Sequence, residues 1–290
     1  MASKRNPALK SVYRRQLSAR LKELREDAEL TMADVAQALE INQGSLSRIE
    51  SGDRGTTPVL VKAMLDCYGV EDASERDDIL DLVRADQAQR QQWWRKYSAV
   101  INTSQYGGYL SLESSATSLR NYEPGLIPGL LQSEEYARRV ITAMRFDLKP
   151  KEIEALVKVR MSRKRLLEGE GAAKLWAVLD EAALRRLEGT PGFLKEELNH
   201  LLSVERQTNI QVQLLPLSAG LHPGLYGSFV LMDFPDPNPE VVWVENGPNS
   251  VYFDGPEEVA RCTEIFDHLR ACALGPPETR SYFRKMIKEL

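Results

Sequence analysis

A short polar run between residues 42 and 48 carries side chains suited to recognition chemistry. It contains, in order, Asn42, Gln43, Gly44, Ser45, Ser47 and Arg48, with Leu46 inside it and Ile49 after it. The Gln43 amide can pair with N6 and N7 of adenine through two hydrogen bonds, and an arginine can reach guanine or a phosphate. Ser45 and Ser47 can donate to a base edge or to a phosphate. This chemistry fits a helix whose polar end enters the major groove of DNA.

Helical spacing before and after the polar run predicts the elements that hold it. Leu17, Leu21 and Leu24 mark one face of a first helix. Thr31, with Asp34 three residues later, predicts the capped start of a second helix, where free N–H groups favour a phosphate. Asn42 caps a third helix that ends at "SGDRG", Thr57-Pro58 starts a fourth, and a fifth begins near Ser74. The tight turn between the second and third helices predicts a helix-turn-helix domain.

Charge is distributed unevenly along the chain. The formal net charge is −4, yet residues 1–25 carry eight Lys and Arg against the single acid Glu23. We expect this basic arm, through Lys10, Arg14 and Arg15, to contact the DNA backbone or the minor groove, with Arg54 as a further donor. The alternative is a solvated tail with no role in binding.

The stretch "LTMADVAQALEINQGSLSRIESG" resembles the Cro/lambda-repressor type of helix-turn-helix, also called the xenobiotic-response-element family. The resemblance implies a sequence-specific DNA-binding domain. It also implies an ion pair between Arg25 in the first helix and Glu50 at the end of the third. Two positions depart from the family pattern. Met32 replaces a glutamine that contacts phosphate, and Glu40 stands where glycine usually adopts a left-handed conformation.

The rest of the chain predicts a second domain of mixed structure. Helical patterns cover 109–121, 133–145, 150–168, 191–206 and 256–273, and a short helix ends the chain. Strand patterns cover 174–180, 209–216, 227–234, 240–246 and 250–254. We expect a mainly α protein with an α+β C-terminal domain, in which a largely antiparallel sheet packs on helices.

The stretch "NYEPGLIPGLLQSEEYARRVI" and the later run "NIQVQLLPLSAGLHPGLYGSFVLMDFPD" resemble the domain of unknown function that follows the helix-turn-helix in many actinobacterial regulators. Some members of that family are described as antitoxin-like. The resemblance implies a transcription factor whose C-terminal domain senses a small-molecule ligand or a small protein partner encoded nearby.

The sequence offers little support for catalysis. Its three cysteines form no C-x-x-C pair, and the chain has no H-E-x-x-H, G-x-S-x-G or phosphate-cradling Gly-Lys-Ser/Thr motif. His222, in a Gly/Pro loop, could gate a pocket, and Asp180 with Glu181 at a strand end could form a catalytic acid pair. A structurally bonded or exposed histidine and a capped helix start are the alternative interpretations. We expect no enzyme activity, no metal and no cofactor.

These patterns predict three segments: a DNA-binding domain with its basic arm at 1–97, a linker at 98–108, and a sensing and dimerisation domain at 109–290. The expected function is that of a transcription regulator which binds double-stranded DNA as a homodimer. The alternative is an antitoxin-like protein that chiefly binds a small partner protein and regulates its own promoter. No segment is long and apolar enough for a membrane helix, so we expect a cytoplasmic, nucleoid-associated protein.

Overall fold

The computed structural model describes residues 12–90, 93–101, 106–235, 238–245 and 250–290. The chain divides into two compact units, Met1–Ser115 and Ala116–Leu290. Lys10 lies outside the described residues, and the proposed linker at 98–108 lies only partly within them.

The first unit is helical. Its elements are α1 (Val12–Asp27), α2 (Met32–Ala38), α3 (Gln43–Glu50), α4 (Pro58–Cys67), α5 (Ala73–Arg90), a 3-10 helix (Trp93–Tyr97) and α6 (Tyr106–Glu113).

Capping residues define where the helices of the first unit begin. Thr31 forms a capping box with Asp34, and Thr57 caps α4 ahead of Pro58. The side chain of Asn42 accepts a hydrogen bond from the backbone N–H of Gly44 at 2.7 Å, which fixes the first turn of α3. The predicted helices therefore begin where their capping residues stand.

One apolar core joins α1 to α5. Leu21, Leu46, Val61, Met64 and Leu65 have no solvent-exposed surface and pack in this core. Leu46 thus buries one face of α3 while its polar neighbours stay outside.

The second unit combines six strands with helices. Its strands are β1 (Ser118–Glu123), β2 (Lys174–Asp180), β3 (Ile210–Leu215), β4 (Phe229–Asp233), β5 (Val241–Val244) and β6 (Val251–Phe253). Its helices are α7 (Glu134–Met144), α8 (Pro150–Ser162), α9 (Glu181–Arg185), α10 (Pro191–Val204), α11 (Pro256–Cys272) and α12 (Pro276–Glu289). Short 3-10 helices occupy Arg163–Leu167, Leu217–Ala219 and Pro223–Tyr226.

The sheet has the strand order β3-β2-β1-β4-β5-β6. Strand β1 is parallel to β2 and β2 to β3, whereas the pairs β1–β4, β4–β5 and β5–β6 are antiparallel. The mainly α and α+β fold class is confirmed, but the sheet is mixed rather than largely antiparallel. The reason is that α7 and α8 connect β1 to β2, and α9 and α10 connect β2 to β3, and such crossovers return the chain in the parallel direction.

The helix predicted over 109–121 is wrong in its second half. Helix α6 ends at Glu113, and residues 118–123 form β1 at the centre of the sheet. Leu119 and Tyr122 are buried there, and the buried Asn121 donates its side-chain amide to the carbonyl oxygen of Phe229 at 3.1 Å. Its central place comes from pairing with β2 and β4, which are distant in the sequence.

No helix within the described part of the chain has both the length and the apolar character needed to cross a membrane.

Candidate nucleic-acid interface

Helix α3 presents two different faces. Leu46, Ile49 and Glu50 are buried, whereas Gln43, Ser47 and Arg48 are exposed. Within the described residues the side chains of Gln43, Ser47 and Arg48 make no hydrogen bond to protein, so their donors and acceptors are available to another molecule. A rigid helix with free polar groups at its N-terminal end matches the recognition helix of a helix-turn-helix.

Two of the predicted contact residues have structural duties as well. The side-chain oxygen Oδ1 of Asn42 accepts the N-cap hydrogen bond, and a Cβ at Gly44 would lie 3.0 Å from that oxygen. Glycine at position 44 therefore keeps the first turn of α3 uncrowded. Asn42 and Gly44 are exposed but serve the geometry of the helix end.

The segment after α3 is tied back to the helix through Arg54. Its guanidinium donates to Ser45 Oγ at 3.1 Å, and its backbone N–H donates to the Arg48 carbonyl oxygen at 2.8 Å. The structure thus brings Ser45, Arg48 and Arg54 together at one end of the unit. Two arginines beside the polar face of α3 supply positive charge where a phosphate backbone would run.

The start of α2 is less favourable for phosphate than the sequence suggests. The Asp34 carboxylate accepts hydrogen bonds from the Thr31 backbone N–H at 2.9 Å and from Thr31 Oγ1 at 2.6 Å. These bonds hold the pKa of Asp34 below its usual value, so the carboxylate is charged. A negative charge at this helix end repels a phosphate, and the DNA contact expected of Thr31 stays a prediction.

The described part of the basic arm is helical. Arg14 and Arg15 lie in α1, and Arg14 forms an ion pair with Asp86 of α5 at 3.2 Å. The Asp86 side chain is only 3% exposed, so Arg14 neutralises a buried carboxylate. Arg14 therefore has a structural role within the first unit, and the DNA contacts expected of Arg14 and Arg15 stay predictions.

Arg25 and Glu50 form the ion pair that sets the position of α3. Arg25 Nε lies 2.8 Å from Glu50 Oε1 and 3.1 Å from Oε2, and a terminal guanidinium nitrogen lies 3.0 Å from Oε2. The other terminal guanidinium nitrogen of Arg25 donates to the Leu30 carbonyl oxygen at 2.8 Å. Hydrogen bonding to Glu50 raises the pKa of Arg25. One guanidinium thus joins the end of α1, the start of α2 and the end of α3.

Tyr68 is a neighbour of this pair that no pattern in the sequence singles out. Tyr68 is buried, and burial together with the Glu50 charge raises its pKa well above the usual range. A core aromatic residue at the C-cap of α4 looks the same in sequence whether or not a charged pair lies beside it.

The second unit holds a polar cluster that links three distant parts of the chain. Tyr122 Oη donates to Asp180 Oδ2 at 3.4 Å, and His222 Nε2 lies 3.6 Å from the same oxygen. Asp180 Oδ1 caps α9 by accepting from the Ala182 backbone N–H at 2.8 Å, and Glu181 bonds Arg185. The capped helix start is confirmed for Asp180 and Glu181, and His222 is a buried, structurally held histidine. Within the described residues no cluster of His, Cys, Asp and Glu is arranged to hold a metal ion.

The first unit, with the tight α2–α3 turn and the exposed polar end of α3, is a DNA-binding helix-turn-helix domain, a class typical of regulators without enzyme activity. A family model described as "Helix-turn-helix domain" matches residues 16–93. A second model, "Domain of unknown function (DUF5753)", matches residues 106–285, which is more than half of the chain. The chain belongs to the DUF5753 family, and the resemblance drawn from the sequence is confirmed.

Comparison with curated proteins gave no significant match. Among solved structures, the chain has a weak likeness to the archaeal chromatin protein TrmBL2, which is described as showing a novel mode of DNA binding. The identity is 12%, the TM-score is 0.31, and the match covers 84% of this chain and 88% of the other.

Proposed function

We propose that this protein is a transcription regulator that reads specific DNA sequences with the N-terminal end of α3. Gln43 is the proposed base reader, and Ser45, Ser47, Arg48 and Arg54 are the proposed supporting contacts. The observation that supports this most strongly is the exposed, unpaired Gln43 amide at the first position of a helix that Arg25 and Glu50 hold in place.

The charges around α3 favour the same role. The whole chain has a net charge of −4, so affinity for a polyanion has to come from a local basic surface. Arg48 and Arg54 supply one, and Lys10 and the other basic residues near the N-terminus extend it if they reach the duplex. In this role the protein acts on the nucleoid in the cytoplasm.

A dimer suits the small size of the reading surface. A single helix-turn-helix buries little DNA surface, and two copies on half-sites about 34 Å apart gain affinity together. In this proposal the second unit supplies dimer contacts and the response to a small-molecule ligand or a protein partner. The antitoxin-like role, in which a small protein encoded nearby is the main partner, stays a prediction that co-purification with that protein would test.

The direct test is selection of duplexes from a randomised library by the purified full-length protein at low salt. The proposal predicts one enriched half-site motif that occurs in pairs about one helical turn apart. The Gln43→Ala variant should enrich a motif with relaxed preference at one position. Failure of the wild-type protein to enrich any motif would contradict the proposal.

A further inference from the structure

Residues 217–227, which we call the apolar loop, display large apolar side chains to solvent. The loop connects β3 to β4 and contains the 3-10 helices Leu217–Ala219 and Pro223–Tyr226. Leu221 is 93% exposed and Tyr226 is 97% exposed, and Leu217 and Leu225 are each more than half exposed. Residues 215–232 contain no Asp, Glu, Lys or Arg. Clustered apolar exposure of this kind marks an interaction surface.

Contacts with Tyr122 and Glu181 hold the backbone of the apolar loop in place. The buried His222 ring meets the Tyr122 ring edge-on, with their centres 6.1 Å apart. Gly224 lies so close to Tyr122 that a Cβ there would be 2.6 Å from the ring. The Leu217 backbone N–H donates to Glu181 Oε2 at 3.0 Å. A loop fixed at three points loses little conformational entropy when it binds.

An open groove of about 390 Å³ lies near Leu217, where the apolar loop begins. It is lined by Leu274, Pro277, Glu278, Ser281, Tyr282 and Lys285. Tyr282 Oη donates to Glu181 Oε1 at 2.7 Å, while the other oxygen of that carboxylate holds the loop at Leu217. The second unit therefore carries projecting apolar side chains and a shallow groove of mixed apolar and polar lining on the two sides of one carboxylate.

We propose that the apolar loop of one copy seats in the groove of a second copy, which forms a two-fold dimer through the second unit. A two-fold interface requires one surface to carry both complementary parts, and here loop and groove are neighbours. The eleven loop residues and six groove residues are fewer than the roughly 20–30 residues a side of a standard interface, so this contact lies at the small end of specific interfaces. Two chains of net charge −4 repel each other, and an uncharged loop is where they approach with the least repulsion.

This inference rests on the proposed function in one respect, since paired half-sites call for two copies. It goes further by assigning the contact to named residues. The two ideas remain separable because half-site binding needs only the first unit, whereas the dimer contact needs only the second.

Sedimentation of the full-length protein over a concentration series tests the dimer. Three variants are compared with wild type: Leu221→Ser with Tyr226→Ser in the loop, Ser281→Trp to fill the groove, and Phe146→Ser as the control. Phe146 is 91% exposed and lies outside both the loop and the groove. The loop and groove variants should each raise the dimer dissociation constant about 30-fold or more, as expected for loss of a central aromatic anchor. The control should leave it unchanged.

A mixture of the loop variant and the groove variant gives the sharpest result. Each variant alone retains no intact loop–groove contact, but a heterodimer of the two retains one. Partial recovery of dimer in the mixture supports the proposal. A wild-type protein that stays monomeric overturns it, whatever else the loop then binds, and so does a mixture no better than its components or an equal effect of Phe146→Ser.

Binding of the same variants to a duplex with a single half-site separates the two proposals. We expect all of them to bind it like wild type. If wild type is a monomer that still binds the half-site, the dimer proposal alone is refuted. If it is a dimer that binds no duplex, the proposed function alone is refuted. Unfolding midpoints of the variants show whether each still folds.

Discussion

The guanidinium of Arg25 and the carboxylate of Glu50 meet 2.8 Å apart, and their side chains are only 10% and 2% exposed. They lie on α1 and α3, so the pair fixes the angle of the proposed reading helix. Such a pair gives little net stability relative to an apolar contact, but removing one partner leaves a buried charge. The geometry of the proposed reading surface therefore depends on two buried residues that lie outside it.

Replacing Glu50 with Ala should lower the free energy of unfolding of the first unit by about 3–5 kcal/mol, because Arg25 would keep only the longer ion pair with the exposed Glu26. Urea unfolding followed by circular dichroism measures the change. Asp81→Ala removes an exposed partner of Arg84 in the same unit and should change stability by less than about 1 kcal/mol. Equal effects of the two substitutions would show that the Arg25–Glu50 pair has no special role.

Gln43→Ala should weaken binding to the selected duplex by about 1–3 kcal/mol and relax the preference at one base pair. The reason is the loss of a side chain that can bond adenine at two atoms. Fluorescence anisotropy with the selected duplex and its single-base variants measures both effects. Gln207→Ala, an exposed amide in the second unit, serves as the matched control and should bind like wild type. An unchanged base preference would show that Gln43 does not recognise a base.

Arg48→Ala and Arg54→Ala should each lower the slope of log K against log salt by about 1, since each removes one phosphate contact. Their effect should be similar on specific and unrelated duplexes if the contact is to the backbone. Arg206→Ala, an exposed arginine of the second unit, should leave the slope unchanged. Identical slopes in all four proteins would place both arginines outside the interface.

Glu40→Gly should raise the free energy of unfolding of the first unit by about 1 kcal/mol. Glu40 has a φ of 51°, in the left-handed region where a Cβ is unfavourable, and it occupies the turn between α2 and α3. Thermal unfolding of the variant measures the gain. A loss of stability would mean that the Glu40 side chain contributes more than its backbone strain removes.

Glu123→Gln should flatten the pH dependence of stability in the second unit. Burial, with a further contribution from Glu245, raises the pKa of Glu123 from its usual 4.5 to about 8, although Arg160 and Arg163 oppose the shift. Between these values the folded chain keeps a proton that the unfolded chain has released. The free energy of unfolding attributable to Glu123 therefore falls as pH rises through this window, by at most about 1.4 kcal/mol per pH unit, and levels off above it.

Denaturant unfolding of wild type and variant between pH 5 and 9 measures this difference. The stability of Glu123→Gln relative to wild type should grow until about pH 8 and then stay constant. Glu245→Gln should produce part of the same flattening, because it removes one of the charges that raise the pKa. Parallel curves for wild type and Glu123→Gln would contradict the assignment.

The local signals in the sequence were sufficient for most helices and strands. Thr31, Asn42 and Thr57 cap the helices they were expected to cap, and Lys174–Asp180 forms a strand with the predicted bounds. Strand β1 was not predicted because "SLRNYE" has no β-branched residue. Its apolar and polar residues do not alternate, since Asn121 is buried beside Tyr122. The parallel pairing of β1, β2 and β3 depends on the helices that connect these strands. The residue pattern of a single strand does not predict it.

Long-range pairing explains what sequence reasoning missed around the sites. The residues around Arg14 in the sequence do not predict its ion pair with Asp86, which lies far along the chain. Likewise, Tyr122, Asp180 and His222 come together only because two strands and a loop converge. The polar end of α3 could be found from sequence because its residues are consecutive and its caps are local.

The most direct test of the account places modified bases in the selected duplex and measures affinity by anisotropy. Replacing adenine with 7-deazaadenine, one position at a time, removes the major-groove N7 acceptor while base pairing is retained. We expect one position in each half-site at which wild type loses about tenfold or more in affinity, while Gln43→Ala shows no further loss there. Equal binding of wild-type protein to every modified duplex would contradict the claim that α3 reads the major groove.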